Sequence, residues 1–294
     1  MQLPLTTPLY EIVDLIETEL ESHELFFGHS TSTAGEEAAL MGLYVTGQDM
    51  AGEEFDWDSV PTPEQLASLQ SLMAKRIESQ LPFAYLIQEA WFCGLRFYID
   101  ERAIVPRSYF GEWIPEQFSP WVDADKVHRA LDLCTGSGCI AIALAYAFPD
   151  AEIDATELSE DALAVAQINV DSHHLESRVT LHQGDLFADV EGRYDLICSN
   201  PPYISNPRML HLPAEYLHEP DMAFRGGDSG LDLVDIILQR AAKYLSDEGV
   251  LIVEVGTSAL TLEDKYPRLA FTWLGTDDEA MALFMLTRAQ LLAA

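Results

Sequence analysis

The chain has 294 residues, 48% of them apolar, enough to bury a sizeable core in one large domain or two. Its 49 acidic against 16 basic residues give a formal net charge of −33, a surface that repels phosphate backbones and attracts basic proteins, which argues against general nucleic-acid binding. No run approaches ~20 apolar residues, which argues against a helical membrane span. The first residues, Met1-Gln2-Leu3-Pro4-Leu5, lack the basic region of a targeting peptide. Cys93, Cys134, Cys139 and Cys198 form no C-x-x-C pair and have no clustered histidines. Neither a metal site nor a disulfide framework is therefore expected, and reduced thiols in a cytoplasmic protein fit better.

Residues 1–85 read as a small helical domain. Leu9, Ile12, Val13, Ile16 and Leu20 form one apolar stripe at helical spacing, and a second helix is expected over 35–44. A third opens at Thr62-Pro63-Glu64-Gln65, where Thr is an N-cap, Pro suits the first turn and Gln closes a capping box. Its apolar face is Leu66, Leu69, Met73 and Ile77. Residues 86–110 read as a connector with a β-hairpin bent near Gly94, leading to Val105-Pro106-Arg107. Whether Arg107 faces a site or solvent stays open.

Residues 111–294 alternate strand and helix, which implies an α/β fold with a parallel sheet covered on both faces. The pattern predicts strands at 127–133, 152–157, 179–182, 194–199 and 250–255, and helices at 139–148, 160–169 and 231–245. In the tail, 271–274 and 282–286 read as strands joined by a short acidic loop, so the last strand should run antiparallel to the rest.

Asp132-Leu133-Cys134-Thr135-Gly136-Ser137-Gly138 sits between the first sheet strand and its helix, where glycines permit a sharp turn and close approach of a ligand. Glu157, at the end of the next strand, is placed to accept from ribose hydroxyls. These two features fit NAD as well as S-adenosylmethionine. Asp185-Leu186, after the third strand, adds an acceptor for an adenine amino group and an apolar neighbour for the ring. Asn200-Pro201-Pro202-Tyr203 ends the fourth strand. Two prolines offer no N–H to a ladder, so the strand must stop there, and a stiff loop presents carbonyl oxygens just outside the carboxyl end of the sheet. The Asn200 side-chain oxygen and the Pro201 carbonyl together suit a substrate bearing an NH2 group. Strand, glycine loop, acid, acid and this loop, in that order, are far more specific than any one of them.

In these motifs the chain resembles the class I S-adenosylmethionine-dependent methyltransferases. The Asn200–Tyr203 box narrows the resemblance to enzymes that methylate planar NH2 groups. Tyr85-Leu86, Ala90-Trp91-Phe92-Cys93-Gly94, Val105-Pro106-Arg107-Ser108, His218-Glu219-Pro220 and the tail Phe271-Thr272-Trp273-Leu274 extend it, over nearly the whole chain, to the glutamine-N5 methyltransferases acting on ribosomal protein three of the large subunit. The chain departs from that pattern at Gly35-Glu36-Glu37-Ala38, at Tyr109-Phe110 and at Gly226-Gly227-Asp228-Ser229-Gly230.

The resemblance implies a Rossmann-like sheet with an antiparallel last strand, a substrate-recognising helical domain and a basic ribosomal protein as partner. It implies S-adenosylmethionine held by Asp132, Cys134, Thr135, Gly136, Ser137, Gly138, Glu157, Asp185 and Leu186. Asn200, Pro201 and Tyr203 would carry the chemistry, with Pro202 stiffening the loop. The sister enzymes of peptide-chain release factors carry Ile-Pro-Arg-Pro at the position of Val105-Pro106-Arg107-Ser108. A nucleic-acid amino-methyltransferase would need a basic face, and an NAD-dependent dehydrogenase leaves Asn200–Tyr203 without a role.

Overall fold

Helix α1 (Leu9–Glu21) buries Leu9, Ile12, Ile16 and Leu20, the stripe its 3.6-residue period predicts, while Val13 is only half-buried. The computed structural model of the protein describes residues 3–29, 31–50, 52, 54–275 and 283–293. Helix α2 (Ala34–Thr46) starts at the Thr33 cap, whose hydroxyl accepts from the Glu36 N–H. Helix α3 (Pro63–Ser79) has the full capping box, with Thr62 and Gln65 each satisfying the other's backbone N–H. A short helix absent from the sequence reading, α4 (Phe83–Ile87), closes this bundle with Phe83 and Ile87 in its core.

The connector is the hairpin β1 (Glu89–Phe92) and β2 (Leu95–Tyr98), joined by a two-residue turn at Cys93–Gly94 with both residues at positive φ, the type I′ geometry favoured between twisted strands. A single turn, α5 (Phe110–Trp113), leads into the sheet.

The sheet has β3 (Arg129–Leu133), β4 (Glu152–Glu157), β5 (Val179–Gln183) and β6 (Tyr194–Ser199), with α6 (Cys139–Ala147) and α7 (Glu160–Ser172) as the first two crossovers. After β6 come α8 (Asn206–Met209), α9 (Asp232–Tyr244), β7 (Leu245–Glu254), α10 (Ala259–Lys265), β8 (Thr272–Leu274), β9 (Leu283–Thr287) and α11 (Arg288–Ala293). The strand order is β5-β4-β3-β6-β7-β9-β8. The pairs from β5 to β7 are parallel, and β9 lies antiparallel between β7 and β8, as the tail hairpin required.

Side chains alternate across the sheet. On β6 and β7, Leu196, Cys198, Val250 and Ile252 join the core under α6, whereas Ile197, Leu251 and Val253 join the core under α9. The second half of the chain departs from expectation in places. Strand β7 begins at Leu245, five residues early, because Leu245 pairs with Tyr194 and the ladder absorbs an irregularity between Tyr194 and Leu196. Helix α11, after β9, had no counterpart in the reading. The acidic loop expected between the tail strands falls at 276–282, outside the described residues, as does Ala282 of the predicted last strand.

The chain winds outward from β3 to β5 and then returns to β6 on the other side of β3. That reversal opens a crevice at the carboxyl ends of β3 and β6, the usual ligand position in an open α/β sheet. Asn169 of α7 ties this end together: its amide accepts from Tyr98 N (2.7 Å) and donates to Tyr98 O (3.0 Å) and Ser137 O (2.9 Å).

Candidate active site

A cleft of ≈ 890 Å³ lies at that crevice, and Cys134, Gly136, Glu157, Asp185, Leu186 and the whole of Asn200–Tyr203 line it. Four other predicted site residues do not reach its wall. Asp132, Thr135, Ser137 and Gly138 are buried behind it, where they shape the glycine loop. Thr135 donates its hydroxyl to Asp132 Oδ2 (2.5 Å), which also accepts from Ala141 N (3.1 Å). The Ser137 carbonyl is taken by Asn169. Gly138 starts α6 at φ 83°, and a Cβ there would stand 3.2 Å from Ala166 Cβ on α7. Asp132 Oδ1 is buried without a partner among the described residues, and burial pushes this carboxyl up to about 7.

The Glu157 carboxylate accepts from Gly136 N and Ser159 N, each at 2.9 Å. An ionised carboxylate has about four acceptor sites, so two remain for hydroxyls in the cleft. Cys134 and Leu186, each just past the carboxyl end of a strand, hold φ values of 61° and 53°. Such left-handed backbone in non-glycine residues costs ~1–3 kcal/mol and clusters at ligand sites.

The Asn200-Pro201-Pro202-Tyr203 loop leaves β6 one residue beyond Ser199, as its prolines demand, and it is seated from three sides. Asn200 Nδ2 approaches the Arg107 carbonyl at 3.5 Å, which turns the side-chain oxygen away from that connector. The Ile204 backbone forms a parallel bridge with Arg225, with Ile204 N–Phe224 O at 2.8 Å and Gly226 N–Ile204 O at 2.9 Å. The Gly226–Gly230 loop thus packs directly under the motif. A Cβ on Gly226 would stand 2.8 Å from Pro202 O, and one on Gly230 2.4 Å from Tyr203 O.

Sequence reasoning missed the carboxylates that support this loop. Glu254, at the end of β7, is 2% exposed and accepts from Tyr203 Oη (2.9 Å), Ser108 Oγ (2.5 Å) and Tyr109 N (3.1 Å). Burial raises its carboxyl to about 7, against the pull of those hydrogen bonds. Arg107, left open by the sequence, faces the cleft. Its guanidinium donates to Glu219 and lies over the Tyr216 and Phe224 rings, 5.3 and 5.8 Å from their centroids. His29 Nε2 lies 3.1 Å from Glu219 Oε2, and the buried Arg76 donates to Glu37, Glu215 and Phe26 O. The His29–Glu219 contact and the Arg76–Glu215 pair join the helical bundle to the segment after the motif.

The parallel sheet with its antiparallel tail, the glycine loop and the Asn-Pro-Pro-Tyr exit define a Rossmann-like methyltransferase. Residues 118–214 match the family model described as methyltransferase small domain. A methyltransferase structure from Pyrococcus furiosus aligns with 73% of this chain and 98% of its own at a TM-score of 0.50 and 17% identity, a likeness of fold. Relatives from Neisseria meningitidis serogroup B and Burkholderia pseudomallei are 44% and 40% identical. Each match covers 97% of this chain, with 95% and 97% of the respective relative, and both relatives are named ribosomal protein uL3 glutamine methyltransferase. The chain belongs to that family. Among the described residues no helix is long and apolar enough to cross a membrane.

Proposed function

We propose that the protein transfers a methyl group from S-adenosylmethionine to the side-chain amide nitrogen of a glutamine in ribosomal protein uL3. The observation that carries this reading is the position of Asn200 and Pro201, at the sheet's crevice on the same cleft as Gly136 and Glu157. The residues present fit the cofactor. Glu157 keeps acceptor capacity for two ribose hydroxyls, Asp185 and Leu186 offer an acceptor and an apolar edge to the adenine, and Cys134 and Gly136 line the cleft beside them. When bound, S-adenosylmethionine supplies an electrophilic methyl group on a sulfonium.

An amide nitrogen is a poor nucleophile because its lone pair is delocalised into the carbonyl. Asn200 Oδ1 and the Pro201 carbonyl accept the two N–H bonds and fix the nitrogen in one orientation. Because Pro201 and Pro202 have no N–H, this stretch of the loop opposes no donor to the substrate's own. The same acceptors stabilise positive charge as it grows on the nitrogen, and such preorganised partners are worth about 10²–10³ in rate each. Orientation alone supplies at most ~7–11 kcal/mol. Tyr203 provides a flat wall for the planar amide. The proton leaves after transfer, when the methylated nitrogen is strongly acidic, and water suffices to take it.

The helical bundle (residues 1–85) serves substrate recognition in this reading, and the net charge of −33 draws in a basic ribosomal protein. The test is incubation with isotopically labelled S-adenosylmethionine and ribosomal proteins from a strain lacking the enzyme, followed by mass spectrometry. Label on a glutamine of uL3 is expected. Label elsewhere, or none, overturns the assignment.

A further inference from the structure

Strands β6 and β7 are paired in parallel, with Ser199 opposite Val253. Glu254 therefore occupies on β7 the level that Asn200 occupies on β6, one residue beyond the last pair. From there its two oxygens reach different parts of the site. Oε1 accepts from the Tyr203 hydroxyl at 2.9 Å, and Oε2 accepts from Ser108 Oγ at 2.5 Å and Tyr109 N at 3.1 Å. The Tyr203 ring is also backed by Gly256, where a Cβ would stand 2.8 Å from ring atom Cε2. The ring is thus fixed at its hydroxyl by a carboxylate and along one edge by glycine backbone. The turn that follows Arg107, whose carbonyl meets the Asn200 amide at 3.5 Å, is fixed by the same carboxylate.

We propose that Glu254 is a positioning residue for the transfer: its carboxylate locks the Tyr203 ring and the Ser108–Tyr109 turn into the one arrangement that closes the slot around the substrate amide. This rests on the reading of Asn200–Tyr203 as that slot. Glu254 holds both walls together, because the motif loop and the connector are separate stretches of chain that meet at this side chain. The groups that face it are Tyr203, Tyr109, Ser108 and the charge of Arg107, and the flanking strands bring Ser199 and Leu283, neither of which is charged.

The ionised carboxylate accepts all three hydrogen bonds at once. The protonated acid must donate one O–H, so either Tyr203 or the turn loses its acceptor. Burial places this change at about 7, with the hydrogen bonds from Ser108, Tyr203 and Tyr109 acting in the opposite direction. Turnover should accordingly fall as pH drops below about 7.

The experiment compares wild type with Glu254→Gln, Tyr203→Phe and the double variant, measuring kcat for uL3 methylation, KM for the methyl donor, melting temperature and the pH profile. Expected are a loss of kcat of about tenfold or more in each single variant, little change in KM for the donor, a double variant no worse than the worse single, and a profile made flat near pH 7 by Glu254→Gln. A Glu254→Gln enzyme within twofold of wild-type kcat overturns the proposal. So do losses that multiply in the double variant. If Glu254→Gln folds poorly, Tyr203→Phe, which removes only the hydroxyl, decides alone, and wild-type kcat in it is equally fatal. A wild-type enzyme that leaves uL3 unmethylated strikes instead at the proposed function.

Discussion

Glu219 receives both terminal nitrogens of Arg107, Nη1 at 2.8 Å and Nη2 at 2.6 Å, on a carboxylate whose side chain is fully buried. Its Oε1 also accepts from Val105 N at 2.9 Å, so one side chain fixes both the backbone and the charge of the connector. Desolvation opposes its ionised form, yet the Arg107 charge, with His29 beside it, outweighs burial and holds the carboxyl at about 2. A depressed folded-state pKa contributes stability that is present above the unfolded value of ~4.3 and is lost as pH falls through about 2. Glu219→Gln leaves Arg107 uncompensated; breaking a fully buried pair costs ~3–5 kcal/mol, and the 24% exposure of Arg107 to the cleft puts the loss here at about the lower end of that range. Chemical denaturation at pH 7 should show a loss of that order. The gap between wild type and variant should narrow between about pH 4.5 and 2. A constant gap would mean that Glu219 is not ionised in the fold.

Asn200→Ala removes the side-chain acceptor and leaves the Pro201 carbonyl, so the substrate amide is held at one N–H only. Single-turnover methylation should fall about 10²–10³-fold while cofactor affinity stays near wild type. Asn200→Asp keeps one acceptor of similar size and should retain more activity than Ala. A wild-type rate in Asn200→Ala would reduce the motif to an ordinary strand exit.

Glu157→Ala removes the acceptor at the end of β4 and also releases Gly136 N and Ser159 N. Calorimetry should show weaker S-adenosylmethionine binding, by ~1.5–3 kcal/mol for each charge-assisted hydrogen bond lost. Unchanged affinity in a folded variant would remove Glu157 from the ribose site.

Gly230→Ala places a methyl group 2.4 Å from the Tyr203 carbonyl at φ 80°. Left-handed backbone alone costs roughly 1–2 kcal/mol for a non-glycine residue, and the clash is with backbone, which has to shift. Turnover should drop with donor affinity preserved, because the displaced atoms belong to the motif and not to the glycine loop. Equal loss of cofactor binding would show that the two halves of the cleft are not separable.

The sheet was largely legible because its elements are punctuated locally. The bounds of β4 and β6 match expectation: Pro149-Asp150 and Pro201-Pro202 break the chain where apolar runs end. The early start of β7 was hidden, since Ser246-Asp247-Glu248-Gly249 has the composition of a turn, and only the pairing of Leu245 with the distant Tyr194, ahead of the regular ladder from Val250, marks the strand's beginning. The supporting carboxylates were hidden for a related reason. Glu254 meets Tyr203 across 51 positions, Glu219 meets Arg107 across 112, and Arg76 meets Glu215 across 139. No local period marks such pairs. On α3 the expected apolar face holds at Leu66, Leu69 and Met73, but Arg76, 1% exposed, is buried in place of the expected Ile77, which is only half-buried.

The irregular step between Tyr194 and Leu196 lies at the amino end of the β6–β7 ladder, far from the chemistry, while the carboxyl ends stay in strict register. In a strand, a slip of one residue exchanges the two faces. An added residue near 246–249 can be absorbed where the ladder is already uneven, and Glu254 keeps its place beside Tyr203. The same addition between Leu251 and Glu254 would turn the carboxylate to the opposite side of the sheet, against the apolar layer. The ladder therefore sets where this chain can change length over time: freely at the end where β6 and β7 begin, and hardly at all where they stop.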